Sequence, residues 1–438
     1  MEHGKAIERV WAAIEAERDF AVELTRALVR IPTVNPKFVA DSALNKEPEH
    51  QAYLAGVLAE LGFATELLEA EPGRPNLVGK WPGREERSLI LCGHVDVVPE
   101  GERALWTHDP FAGVLADGKI FGRGALDMKG GIAACVAAVK AIRDAGLTLD
   151  GRLDIHAVVD EEAGGFGALD LIRRGHLAKA AILAEATWDA VQPAEGGLDW
   201  VRVTIRGKIA HAGWRYNAVY PQAETADRPK PGVNALELGV KFIAAVQELE
   251  RDWGRRKFHP LLPPGITTIN PGVMIAGAGI GEDGRPQVLS NPAIIPDTCV
   301  MEFDLKYLPD ENQEDVRREF EEFVHHWAAT DSWLRDHPPE IEWEIGGLRF
   351  PPVSTPEDHP LVQSMLAARK QLSRTPELGG YIAVSDAAHY AGAGVDCVIF
   401  GPSGDGYHAT DEHVEVESLI DCSKVIAAAV LEWCGVKS

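Results

Sequence analysis

The sequence predicts an α/β fold with a mostly parallel sheet, interrupted by an inserted α+β segment. Three observations predict it. Short apolar runs recur in "SLILCGHVD", "RLDIHAVVD", "AAILAEA" and "VDCVIFGP", each bounded by Gly, Pro or charge and each short enough for a strand buried on both faces. A long alanine-rich helical pattern, "GGIAACVAAVKAIRDAG", lies between the first two runs, so strands alternate with helices. From about Leu198 the pattern changes to half-exposed strands and amphipathic helices.

Taken in order, residues 6–30 carry helical periodicity, which Pro32 and Pro36 of "RIPTVNP" stop. A second helix is expected over about Glu47 to Leu61, and a strand near Ala64 to Leu68. The buried runs and the alanine-rich helix follow. "DWVRVTIRG" then alternates apolar and polar residues, a loop rich in Pro and charge follows ("WRYNAVYPQAETADRPKPGVN"), and "NALELGVKFIAAVQELERDW" is amphipathic. Strands near "ITTINPGVMIAG" and "TCVMEFDLKYLP" and the helix "ENQEDVRREFEEFVHHWAA" complete an antiparallel sheet with two half-exposed helices. The chain returns to the first domain near "GGLRFPPVSTPEDHP", giving segments 1–197, 198–347 and 348–438.

With 438 residues the chain is long enough for two or three domains, and 45% hydrophobic with 25% charged residues is ordinary globular composition. The formal net charge of −24 opposes binding to nucleic acid or to an anionic membrane surface. No stretch approaches the roughly 20 apolar residues of a membrane span, and the N-terminus has no apolar signal region, so a cytoplasmic enzyme is the expectation. Six scattered cysteines without CxxC pairs read as reduced core residues.

Ligand-type residues gather at the ends of the apolar runs. The strand period of two puts His94 and Asp96 on one face. Asp127 sits in "GRGALDMKGG", just before the alanine-rich helix; Glu161 and Glu162 close the next strand, Glu185 ends "AAILAEA", and His408 lies in the Gly-rich loop "GPSGDGYHATDEH". In an open α/β sheet the carboxyl edge is where sites form. Two imidazoles and several carboxylates suit zinc, cobalt or manganese better than calcium. Two such ions sharing a bridging carboxylate make an acidic cluster tolerable, and one carboxylate of the Glu pair is left over to take a proton from metal-bound water. The bland alternatives are a solvated acidic loop for Glu161 and Glu162, a helix cap for Asp127 and a competing ligand, His413, for His408. His156 reads as a core histidine, and Asp386 and His389 stay unassigned.

The order HxD, GRGxxDMKGG, DEExGGxG, a strand-end Glu and a late His in a Gly-rich loop resembles the M20 metallopeptidase and amidohydrolase family, over nearly the whole chain. The resemblance implies a zinc-peptidase-like catalytic domain with an inserted lid and dimerisation domain. It implies that Asp127 bridges two metal ions, zinc first and cobalt or manganese otherwise. His94 and Glu185 would complete one site, and Glu162 and His408 the other. Glu161 would be the general base acting on a metal-bridging water, and Asp96 would orient His94. "GKIAHAGW" resembles the lid stretch whose His, here His211, reaches a neighbouring subunit's site in a homodimer and stabilises the oxyanion. The implied activity is hydrolysis of an amide bond in a small carboxylated substrate, of the N-acyl amino acid deacylase type.

Two lid positions depart from the family. Ala293 and Lys306 stand where relatives commonly carry an Asn and an Arg for substrate contacts, and Lys lacks the planar fork of Arg. Arg349 matches another substrate-binding Arg more loosely. The competing readings are a dipeptidase, a carbamoyl or aromatic-amine hydrolase on the same site, or a small-molecule-binding relative without catalysis. HExxH, GxSxG and GxxxxGK[ST] signatures are missing, and "AGAGIGEDG" is no dinucleotide fingerprint.

Overall fold

A computed structural model describes residues 2–215 and 232–437, so most of the charged, Pro-rich loop lies outside the described residues. The chain divides into two compact units, Met1–Glu195 with Val353–Ser438, and Gly196–Pro352.

The first unit is built on a nine-stranded sheet. Its four middle strands, Gly151–Val158, Arg84–His94, Ala180–Leu183 and Asp396–Ile399, run parallel to one another in that spatial order. Antiparallel strands flank them: Ala64–Glu71 and Arg74–Trp81 on one side, Val191–Glu195 and Val353–Ser354 on the other. The apolar runs are continuous because both faces are covered. Leu89, Leu91, Ile182 and Val398 join one core layer, while Ile90, Cys92, Leu183 and Ile399 join the opposite one. The first layer holds the helices Gly130–Asp144 and Val416–Cys434, each with most of its residues buried. All six cysteines are buried and unpaired.

The single helix expected over residues 6–30 is two, Glu2–Ala16 and Arg18–Val29, broken at Glu17 with φ −120° and ψ 37°. The run Glu15–Glu17 is exposed and buries no side chain through the joint, so the second helix re-aims its own stripe from Ala21 to Val29. The strand Arg74–Trp81 has no counterpart in the sequence reading, since Pro75, Gly79 and Lys80 interrupt its apolar pattern.

The second unit is an antiparallel sheet in the order Ile269–Gly277, Thr298–Tyr307, Gly197–Arg206, Glu340–Trp343. The helices Ala235–Arg256 and Gln313–Ala329 contribute Phe242, Trp253 and Phe320 to a core shared with Phe303 of the sheet. Asn234 and Asn312 cap these helices by accepting backbone N–H bonds, contacts worth about 1 kcal/mol each. Among the described residues no helix is long and apolar enough to cross a membrane.

Candidate metal centre

Four adjacent parallel strands deliver ligand-type side chains to one edge. His94 is the last residue of its strand, Glu161 and Glu162 follow Gly151–Val158, Glu185 follows Ala180–Leu183, and His408 lies in the loop after Asp396–Ile399. Asp127 arrives separately, from the turn that precedes the helix Gly130–Asp144. That helix starts hard against the sheet: a Cβ at Gly131 would lie 1.9 Å from the carbonyl oxygen of Ala184.

Asp127 sits between the two imidazoles. Its Oδ1 is 3.0 Å from Nε2 of His94, and its Oδ2 is 2.9 Å from Nε2 of His408. His408 Nε2 also lies 3.1 Å from Glu162, and His94 Nε2 lies 3.6 Å from Glu185 and 3.9 Å from Glu161. His94, Asp127 and Glu162 each bring a ligand atom within 4.8 Å of the others. Asp127 does not cap the following helix; both of its oxygens face histidines. His413 stands apart, with Nδ1 3.0 Å from the Asp411 carbonyl. His156 is a core residue bonded to the Tyr390 hydroxyl at 2.8 Å, and burial lowers its pKa to about 3.

Asp96 holds His94 through its backbone. Nδ1 of His94 lies 2.9 Å from the Asp96 carbonyl, and that hydrogen bond turns Nε2 toward the cluster. The Asp96 carboxylate is 3.8 Å from the ring. It accepts instead from the backbone N–H of Glu161 (3.1 Å) and Glu162 (3.3 Å) and from Asn35 (2.8 Å). The strand stops at His94, so the period of two that put both side chains on one face ends there.

The turn carrying the glutamates is fixed from below. Asp160 has φ 71°, and its carboxylate accepts from Arg74 (2.6 Å), Lys37 (2.6 Å) and Asn35 (3.1 Å). Gly165 closes the turn with φ 72°, and a Cβ there would lie 2.3 Å from Nε2 of His389 and 2.8 Å from Asp386. Among the described residues both oxygens of the buried Asp386 find no hydrogen-bond partner, and burial raises its pKa to about 7.

Glu412 does the same for Asp127. One oxygen accepts from the N–H of Leu126 (2.9 Å) and Asp127 (3.1 Å), the other from Gly124 (2.9 Å) and Arg123 (2.6 Å). Sequence reasoning missed Asn35, Lys37, Arg74 and Glu412, because each contacts the site from a segment distant in sequence; "DEH" gave no sign of Glu412's task. Glu412→Ala strands Arg123 and three backbone donors, and is expected to destabilise the fold by about 3–5 kcal/mol in urea unfolding. A loss below about 1 kcal/mol would mean that water replaces the carboxylate.

By themselves these groups are poorly matched to burial. Burial raises Glu161 and Glu185 well above the carboxylate range, with His94 opposing the shift, and it raises Glu162 to about 7 with Asp127 adding to it. Burial disfavours charge on the two histidines, yet the hydrogen bonds to Asp127 overcome it. His94 is held well above its usual value, and His408 is raised to about 10. Among the described residues the buried Oε2 of Glu185 finds no hydrogen-bond partner. Two imidazoles, three carboxylates sharing one space and an orphaned carboxylate oxygen are the donor set that divalent cations fit.

The residues expected from the second unit are described within that unit. His211 is exposed, and its Nδ1 accepts the N–H of Gly213 at 3.0 Å. Lys306 lies in the strand Thr298–Tyr307, opposite Leu198, and Arg349 is exposed after Leu348. Ala293 accepts the N–H of Ala212 through its carbonyl at 2.7 Å.

The profile of peptidase family M20/M25/M40 matches residues 90–432. The chain is 34% identical to the N-formyl-4-amino-5-aminomethyl-2-methylpyrimidine deformylase of Bacillus subtilis, over 97% of both chains. Its fold is shared by aminopeptidase PepT of Bacillus cereus, with a TM-score of 0.70, 21% identity and coverage of 95% of this chain and 99% of that one. It is shared too by a dinuclear metal-binding M20 peptidase of Bacillus subtilis, with a TM-score of 0.62, 16% identity and coverage of 95% and 98%.

Proposed function

The chain belongs to peptidase family M20/M25/M40 and is a hydrolase of amide bonds, and from that premise we propose that it is a deacylase that removes the formyl group from the amine of a small heteroaromatic compound of the aminopyrimidine type. The observation that carries this reading is the 34% identity to a pyrimidine deformylase across 97% of both chains. The lid departures support it. Ala293 and Lys306 replace the Asn and Arg expected to grip a substrate carboxylate, and a formylated aminopyrimidine has no carboxylate to grip. Of the alternatives open at the level of sequence, the aromatic-amine hydrolase is therefore favoured over the N-acyl amino acid deacylase.

In this proposal two divalent ions, zinc first and cobalt or manganese as substitutes, are held by His94, Asp127 and Glu185 and by Asp127, Glu162 and His408. When bound, such ions polarise an acyl carbonyl and make water acidic enough to attack near neutral pH. Glu161 takes the proton of the attacking water and delivers it to the amine nitrogen as the C–N bond breaks, so formamide and water become formate and amine. Its side chain is 16% exposed, against 5% for Glu162. That difference suits a base that must meet water beside a ligand that must not. Asp96 fixes the amides of both glutamates, and Glu412 fixes the turn of Asp127. His211 stabilises the oxyanion across a homodimer formed through the 196–352 unit, and Lys306 and Arg349 are assigned to substrate contact.

The test is an assay of the purified protein against N-formyl aminomethylpyrimidines, N-acetyl and N-succinyl amino acids and dipeptides, with bound metal quantified and mass measured by light scattering. Preferred cleavage of the formamide, about two equivalents of metal per chain and twice the 47.5 kDa chain mass are expected. Preference for a carboxylated amide would overturn the substrate assignment, and a monomer would remove the role given to His211.

A further inference from the structure

Two tyrosines stand beside the ligand cluster, and neither belongs to the ligand set. Tyr381 ends the strand Leu378–Tyr381 and is 4% exposed. Tyr407 immediately precedes His408, and its ring stacks on that imidazole with centroids 4.7 Å apart and an 18° angle between planes. The two hydroxyls meet at 3.1 Å.

Two hydroxyls carry two protons, and the bond between them uses one. Among the described residues neither hydroxyl has another hydrogen-bond partner, so one proton is left without an acceptor. The pair is part-buried, so that proton is open to water and to a ligand that displaces the water. The stack on His408 places Tyr407 beside the cluster and fixes its ring, and the hydroxyl contact places Tyr381 behind it.

We propose that the Tyr381–Tyr407 hydroxyl pair donates one hydrogen bond to the acyl oxygen of the substrate, a role that rests on the deacylase reading above. The pair stabilises the oxygen most when negative charge develops on it, so its contribution appears in kcat. Tyr381 also polarises Tyr407, or the reverse, so the two act as one donor unit.

Tyr381→Phe, Tyr407→Phe and the double variant keep the rings and remove only hydroxyls. On whichever amide the wild type cleaves best, the variant that removes the hydroxyl touching the acyl oxygen is expected to lose on the order of 100-fold in kcat and the other about 10-fold, with KM within a few-fold and metal content unchanged. The double variant is expected to be no worse than the poorer single one, because the inner hydroxyl acts only through the outer one. Retention of kcat within about threefold in both single variants overturns the proposal. So does a loss that follows departure of bound metal, which would make Tyr407 a support for His408 only. A wild type that prefers acetyl or succinyl amides sinks the formyl assignment and leaves this test intact, since kcat is then read on that amide.

Discussion

Glu161→Gln is expected to lower kcat by about 10³-fold or more while bound metal stays near the wild-type amount. The glutamine fills the same volume, and the backbone N–H of residue 161 keeps its 3.1 Å bond to Asp96, so the turn is undisturbed. What is lost is an acceptor for the proton of water. The matching exchange at Glu162 should behave differently, because that side chain is tied at both ends: Oε2 lies 3.1 Å from His408, and Oε1 accepts the N–H of Val98 at 3.3 Å. Glu162→Gln is expected to lose metal together with activity. The pair of variants, read by elemental analysis and kinetics on one preparation, separates base from ligand. If Glu161→Gln kept more than a tenth of kcat, the proton would be moving by another route. The base must be ionised to act, and burial raises Glu161 above the usual carboxylate range.

The clustering of these residues could be read from the sequence because a parallel sheet buried on both faces writes itself as short apolar runs, and the residues just beyond them must stand at one edge. "SLILCGHVD", "RLDIHAVVD" and "AAILAEA" carry that signal without ambiguity, and the structure brings His94, Glu162 and Glu185 to the same edge. Asp127 was legible only through the glycines around it, since no period reaches it. Asp96 was read for its side chain and acts on His94 through its carbonyl, because the strand geometry that paired them ends at His94. The supports were not legible at all. Arg74 follows a turn in a strand whose Pro75 and Gly79 hide it, and Lys37 and Asn35 lie in a Pro-bounded connection. Glu412 meets the turn of Asp127 through contacts spanning hundreds of residues, and such pairings leave no mark in the local pattern.

Removing the side chain shared by both histidines is expected to have the other large effect. Asp127→Ala should abolish turnover and metal retention together, and added zinc, cobalt or manganese should not restore them, whereas a chelated wild type should recover on readdition. The pH dependence follows from the groups that surround Asp127. His408 by itself is raised to about 10 and His94 well above its usual value, so at pH 7 both imidazoles hold protons that an incoming cation must expel. Glu162, raised to about 7, adds part of another. Protons bound in the empty state and absent in the loaded one make affinity rise with pH. The two histidine protons alone make the combined affinity for the pair of ions rise on the order of 100-fold per pH unit between pH 6 and 8, and the carboxyl protons of Glu162 and Glu185 add to that slope. In Asp127→Ala the hydrogen bonds that both imidazoles make to Asp127 are gone while Glu162 still faces His408, so any residual binding should depend less on pH. Competition titrations with a chromophoric chelator at pH 6, 7 and 8 measure both slopes. A flat wild-type slope would show that the cation enters without displacing these protons, and His94, Asp127 and His408 would then not be its ligands.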